Sequence, residues 1–142
     1  MATVTAELGS GTVVNLRARQ FSLVSDEPES ASGTDTGSTP YEILLSSLAA
    51  CTALTLRLYA DHKGIRLDGV KVSLTFDRVH ADDCADCDER LDGWIERIQS
   101  RVVMSGEFDD AQRARLAQVA QRCPVHKTLA NGVHISDSVS FE

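Results

Sequence analysis

Aromatic side chains make up only 5% of this 142-residue chain, with a single tryptophan, so its core must be built from aliphatic residues. Positive charge is also scarce. Fourteen Lys and Arg face 21 Asp and Glu, for a net charge of −7 and a sequence pI near 5.0. No basic cluster and no interleaving of arginine with aromatics offsets this, which argues against nucleic acid or an anionic membrane as a partner. The opening Met1-Ala2-Thr3-Val4-Thr5 lacks a basic stretch and an apolar run, so the expected location is the cytoplasm. Internal repeats and low-complexity tracts are absent. Cysteine is sparse, at four residues. In a chain read as unexported, these suit thiols, a metal site or a redox pair better than a structural disulfide framework.

What the chain does have is one long apolar stretch, Thr39 to Ala60. Thr39 can cap a helix, and Pro40 fits its first position, where a missing N–H costs nothing. Lys63-Gly64 marks the end, a cation followed by a residue free to adopt positive φ. Leu44, Leu48, Cys51, Leu54 and Leu58 fall on one helical stripe, with the helix's only cysteine at its centre. Apolar residues on the other faces predict a helix buried nearly all round. Tyr41, Glu42, Ser46, Ser47, Thr52, Thr55 and Arg57 interrupt it too often for a membrane span.

Three short strands are expected before this helix, at Ala2–Glu7, Val13–Leu16 and Phe21–Val24, followed by a polar surface loop from Asp26 to Ser38. After it, Val70, Val72, Leu74 and Phe76 share one strand face, opposite Lys71, Ser73, Thr75 and Asp77. A polar excursion from His80 to Gly93 leads to a second strand, about Trp94 to Ser105. A helix should run from Asp109 and Asp110 to Arg122, with Leu116, Val119, Ala120 and Cys123 as its apolar stripe. Pro124 stops it and starts a short helix closed by Asn131-Gly132. Val133, Ile135, Val139 and Phe141 alternate as a last strand. With no strand–helix–strand alternation of the doubly wound kind, the fold class is α+β, a single domain over residues 1–142. A domain this small struggles to enclose the long helix, and a homodimer is expected.

Two readings of Cys51 and Cys123 stand side by side. Each can be a small buried hydrophobe. Alternatively, Cys123 directly precedes a proline-led helix, so its sulfur can sit at the N-cap, where free N–H groups favour a thiolate. Both lie on core-facing stripes of different helices, which permits them to meet.

The run from Gly33 through Thr39-Pro40-Tyr41-Glu42-Ile43 to Ala49-Ala50-Cys51-Thr52, with Cys123-Pro124-Val125-His126 far downstream, resembles the OsmC/Ohr family, osmotically inducible protein C and organic hydroperoxide resistance protein. The resemblance implies antiparallel sheets around a long central helix in an intertwined homodimer. It also implies thiol-dependent reduction of organic hydroperoxides without a cofactor. Cys51 matches the peroxidatic cysteine, which becomes a sulfenic acid, and Cys123 matches the resolving cysteine. An external dithiol, often lipoyl-type in this family, reduces the pair. The leucines around Cys51 suit an alkyl peroxide.

Well-known members place a Glu directly after the helix-opening Pro, paired with an Arg of the N-terminal sheet. Here Tyr41 follows Pro40 and Glu42 comes one residue later. Glu42 and Arg19, with Arg17 as the other candidate cation, are the residues available for that pair. Glu42 stands nine residues before Cys51, about 180° around an ideal helix. Without such a pair the Cys51 pKa stays near or above about 8.5.

His80, Cys84 and Cys87 form a second constellation. A Cys-x-x-Cys with a nearby histidine supplies three zinc ligands but no evident fourth, short of His126 or a partner subunit. Metal, a second redox pair and an inert polar loop all remain open. His126, within a turn of Cys123, reads as a helix-surface histidine. The alternative to a peroxidase is a stress-linked, non-catalytic protein of the same fold that binds an apolar small molecule or a metal.

Overall fold

A computed structural model describes all of residues 1–142. The chain forms two compact units, residues 1–46 and 47–142.

The first unit is built on a three-stranded antiparallel meander. Strands β1 (Thr5–Leu8), β2 (Val14–Ala18) and β3 (Phe21–Ser25) pair in that order. Arg19, at φ 56°, turns β2 into β3, with its guanidinium 5.0 Å from the centre of the Phe21 ring. The polar stretch that follows is organised by one buried carboxylate, Asp26. It accepts the backbone N–H groups of Glu27, Thr34 and Thr36 at 2.8, 3.2 and 3.1 Å, and the Thr34 hydroxyl. The Thr34 hydroxyl first, then a hydrogen bond from the Thr12 hydroxyl, and with them the backbone N–H donors, hold its pKa far below the carboxylate range.

Helix α1 (Pro40–Lys63) starts in this unit and continues into the second. Its start is a capping box: Glu42 N–H donates to Thr39 Oγ1 at 3.2 Å, and Thr39 N–H donates to Glu42 Oε2 at 3.1 Å. Its end is a Schellman turn. Gly64 adopts φ 65°, and Ile65 N–H reaches back to the Ala60 carbonyl at 2.9 Å.

In the second unit, β4 (Arg66–His80) and β5 (Trp94–Glu107) form one long antiparallel hairpin. Along β4, Val70, Val72, Leu74 and Phe76 are half-buried while Lys71, Ser73 and Thr75 are exposed, the alternation expected from sequence. Both strands run longer than their apolar residues alone indicate, because the ladder continues through Arg66, Asp77 and Glu107. Helix α2 (Asp110–Val119) begins with a second capping box, Asp109 with Gln112, and α3 (Pro124–Asn131) follows. Leu56 and Ala60 of α1 pack with Leu67, Leu116 and Val119, flanked by Val70, Val102 and Met104 of the hairpin.

Three sequence expectations need correction. Helix α2 ends at Val119, not Arg122, so Cys123 lies beyond it. The segment after Gly132 forms no strand, and Val133, Ile135, Val139 and Phe141 are all exposed. Alternation shows that a segment fits a sheet, but a strand also needs a partner, and this segment pairs with neither sheet. The buried face of α1 is also not the stripe through Cys51. It is Leu48, Thr52, Leu56 and Ala60, spaced by four, while Leu54 and Leu58 are 60% and 68% exposed. By length and hydropathy alone α1 could cross a membrane, yet its Leu56–Ala60 face packs on protein.

Candidate active site

The first turn of α3 sets the site. Cys123 is its N-cap and is fully buried, and its sulfur accepts the His126 N–H at 3.2 Å. Pro124 at the first helical position needs no acceptor. The next free N–H, that of Val125, is directed at the sulfur of Cys51. Two sulfurs therefore satisfy two otherwise unpaired donors at the positive end of one helix, a place suited to thiolate or to an oxidised sulfur.

Cys51 comes from the middle of α1 and is half-buried. The Thr55 hydroxyl, one turn further along α1, also donates to it, while the S–H of Cys51 is directed at the Cys123 sulfur. Both cysteines are free. Thr52 completes the group. Its hydroxyl lies 3.0 Å from the Leu48 carbonyl and 3.7 Å from Cys123 Sγ. The hydroxyl donates to the carbonyl and is also directed at the Cys123 sulfur. Beside Thr52 and His126 lies a cavity of about 280 Å³, walled by Leu48, Val102, Met104 and Ala120.

Burial pushes the Cys51 thiol above its ordinary pKa, and the neighbouring Cys123 thiol adds to this. The N–H of Val125 and the hydroxyl of Thr55 oppose the rise without overcoming it. The surroundings of Cys51 favour its protonated form.

The structure brings together Cys51 and Cys123 of the residues expected from sequence. Glu42 is engaged elsewhere, with its carboxylate closing the α1 capping box. Arg19 stacks on Phe21 in the β2–β3 turn. His126 contributes its backbone N–H, and its side chain is exposed, as read from sequence. Sequence reading missed Thr52, Thr55 and the Val125 N–H. A signal existed for Thr55, a hydroxyl four residues after Cys51 on the same helix face. None existed for the Val125 donor, which any residue type would supply.

The family model for OsmC-like protein matches residues 33–136, and the chain belongs to that family. Comparison with curated proteins found no match. Among solved structures, an OsmC-like protein from Mycoplasma pneumoniae is similar at TM-score 0.66 and 24% identity, over 92% of this chain and 87% of that one. An organic hydroperoxide resistance protein OsmC from Legionella pneumophila gives TM-score 0.62 at 16% identity, covering 91% and 88%. An organic hydroperoxide resistance protein from Vibrio cholerae, with captopril bound in one of its active sites, gives TM-score 0.60 at 20% identity, covering 91% and 83%. At these identities the likeness establishes the shared α+β fold, with its antiparallel sheets and long helix.

Proposed function

We propose that this chain is a thiol-dependent peroxidase for organic hydroperoxides. The observation that carries the reading is the hydrogen bond between two free thiols, Cys51 and Cys123, at the N-terminus of α3. The Cys51 thiolate attacks the distal peroxide oxygen and the O–O bond breaks. An alcohol leaves after protonation, and Cys51 is left as a sulfenic acid. Its oxygen then lies beside the α3 N–H groups. The Cys123 thiol attacks the Cys51 sulfur, releasing water and forming a disulfide, which an external dithiol of the lipoyl type reduces. The cavity that Thr52 lines has an apolar wall of Leu48, Val102 and Met104, which suits an alkyl substituent better than hydrogen peroxide. The cycle needs no metal or cofactor.

Because burial and the neighbouring thiol favour the protonated form of Cys51, its attack is slowed, and a further group that lowers its pKa would speed it. The exposed Leu54 and Leu58 face of α1 supports a homodimer as the working form, and we place it in the cytoplasm. The same raised pKa favours the second reading, a non-catalytic protein that binds an apolar molecule in the cavity.

Peroxide treatment followed by mass spectrometry separates them. Under stoichiometric cumene hydroperoxide, wild type forms a Cys51–Cys123 disulfide, and Cys51→Ser consumes no peroxide. Cys123→Ser reacts once, leaving a trappable sulfenic acid that over-oxidises in excess. Cys51 persisting as a free thiol in wild type would establish the binding reading instead.

A further inference from the structure

The loop between β4 and β5 carries chemistry that the α3 site does not use. It is a built loop. At its base His80 and Trp94 are cross-strand partners with their rings edge to face, 5.6 Å between centres. Above them Ala81 N–H donates to the Gly93 carbonyl at 2.8 Å, and Cys84 N–H closes a tight turn onto the Ala81 carbonyl at 3.2 Å. At the top, Cys84 and Cys87 are joined in a disulfide, with Cα atoms 5.5 Å apart.

A disulfide spanning three residues constrains the unfolded chain little, and the loop's base is already held by hydrogen bonds. A structural brace is therefore a weak reason for the bond. The two sulfurs also differ in access. Cys84 is buried, whereas Cys87 is half-exposed and opens into a groove with Asp86, Arg97 and Ile98. Arg97 is held in that groove by a two-point pair with Asp77, at 3.0 and 2.7 Å. Cys84 Sγ lies 3.5 Å from Asp86 Oδ1.

We propose that Cys84 and Cys87 are a second thiol–disulfide exchange centre, independent of Cys51 and Cys123, which takes electrons from external thiols through Cys87. A thiolate attacks Cys87 Sγ, the Cys84–Cys87 bond breaks, and its electron pair goes to Cys84. That sulfur cannot rest as an anion beside the Asp86 carboxylate, so it takes a proton from water. A second thiolate attacks the external sulfur of the mixed disulfide and frees Cys87. The net change is two external thiols oxidised to their disulfide and one protein disulfide reduced to a dithiol. The loop also selects its reductant. Asp82, Asp83, Asp86, Asp88, Glu89 and Asp92 outweigh Arg90, so anionic thiols are repelled and uncharged or cationic ones are favoured. A metal site is the weaker use of the same residues. Only Cys84, Cys87 and Asp86 gather their ligand atoms within 4.8 Å, while the His80 ring is engaged with Asp82 and Trp94.

The test uses the full-length Cys51→Ser/Cys123→Ser variant, in which the loop pair are the only cysteines, so the peroxidase reading does not enter. After reduction both thiols should titrate, and oxidised lipoamide should remove both. Peptide mapping should then show the Cys84–Cys87 link. Per unit of thiolate, 2-mercaptoethanol should reopen it several-fold faster than glutathione at low salt, with the gap narrowing at high salt. Differential alkylation of wild type gives the same readout without relying on the variant's folding. Three results would overturn the proposal: loop thiols that stay free under oxidant, a disulfide that opens only in denaturant, or reduced protein that holds stoichiometric zinc and resists oxidation. Equal rates for the two monothiols at low salt would overturn the selectivity.

Discussion

The thiols of Cys51 and Cys123 hydrogen-bond to each other, each also taking a backbone N–H from the first turn of α3. One comes from the interior of a long helix and the other from the residue before a proline. Their meeting depends on the α2–α3 turn, which places Cys123 at a helix cap rather than on the flank of α2. Cys51 is also insulated by burial, so its reactivity is set by pH.

Alkylation of Cys51 by iodoacetamide should therefore rise with pH through a midpoint above the roughly 8.5 of a free cysteine. Cys123→Ala should lower that midpoint, because the neighbouring thiol contributes to the rise. The linked effect on stability has a definite sign. A folded-state pKa raised above the unfolded value gives stability that is full below the unfolded pKa and lost as pH climbs through the folded one. Thermal unfolding of wild type and Cys51→Ser should diverge only on the alkaline side. A midpoint below neutrality would show that a cation reaches Cys51.

Glu42 offers a clean separation of roles. As a capping-box residue it can be replaced by glutamine, which makes the same hydrogen bond without charge. Glu42→Gln should keep stability within about 0.5 kcal/mol, whereas Glu42→Ala should lose about 0.5–1 kcal/mol. Peroxide turnover should follow stability in both variants. A large loss of turnover in Glu42→Gln, with unfolding unchanged, would instead give the carboxylate's charge a part in activating Cys51.

The two faces of α1 should respond differently to truncation. Leu56 is fully buried among Ala60, Leu116 and Val119, so Leu56→Ala should cost about 2–5 kcal/mol in chemical denaturation. Leu58 is exposed in the single chain. If its face is the dimer contact, Leu54→Glu/Leu58→Glu should halve the mass seen by light scattering while leaving the circular dichroism spectrum of a folded chain. An unchanged mass would remove that face from the interface.

Sequence alone determined the features that depend on local backbone chemistry. Thr39, Pro40 and Gly64 set the bounds of α1, because a hydroxyl cap, a residue without an N–H and a residue at φ 65° each suit one helix position. The alternation of Val70 to Phe76 set a strand and its faces, and Cys123-Pro124 set a sulfur at a helix start. Tertiary structure decided which face of α1 is buried, since an apolar residue on every side leaves helical period with nothing to choose between, and the choice fell to contact with Leu116 and Val119. It decided that Val133 to Phe141 pairs with neither sheet, and pairing is something no pattern within the segment can supply. It also aimed the Val125 N–H at Cys51, because a backbone donor carries no mark in the residue letter and its target depends only on where α3 starts in space.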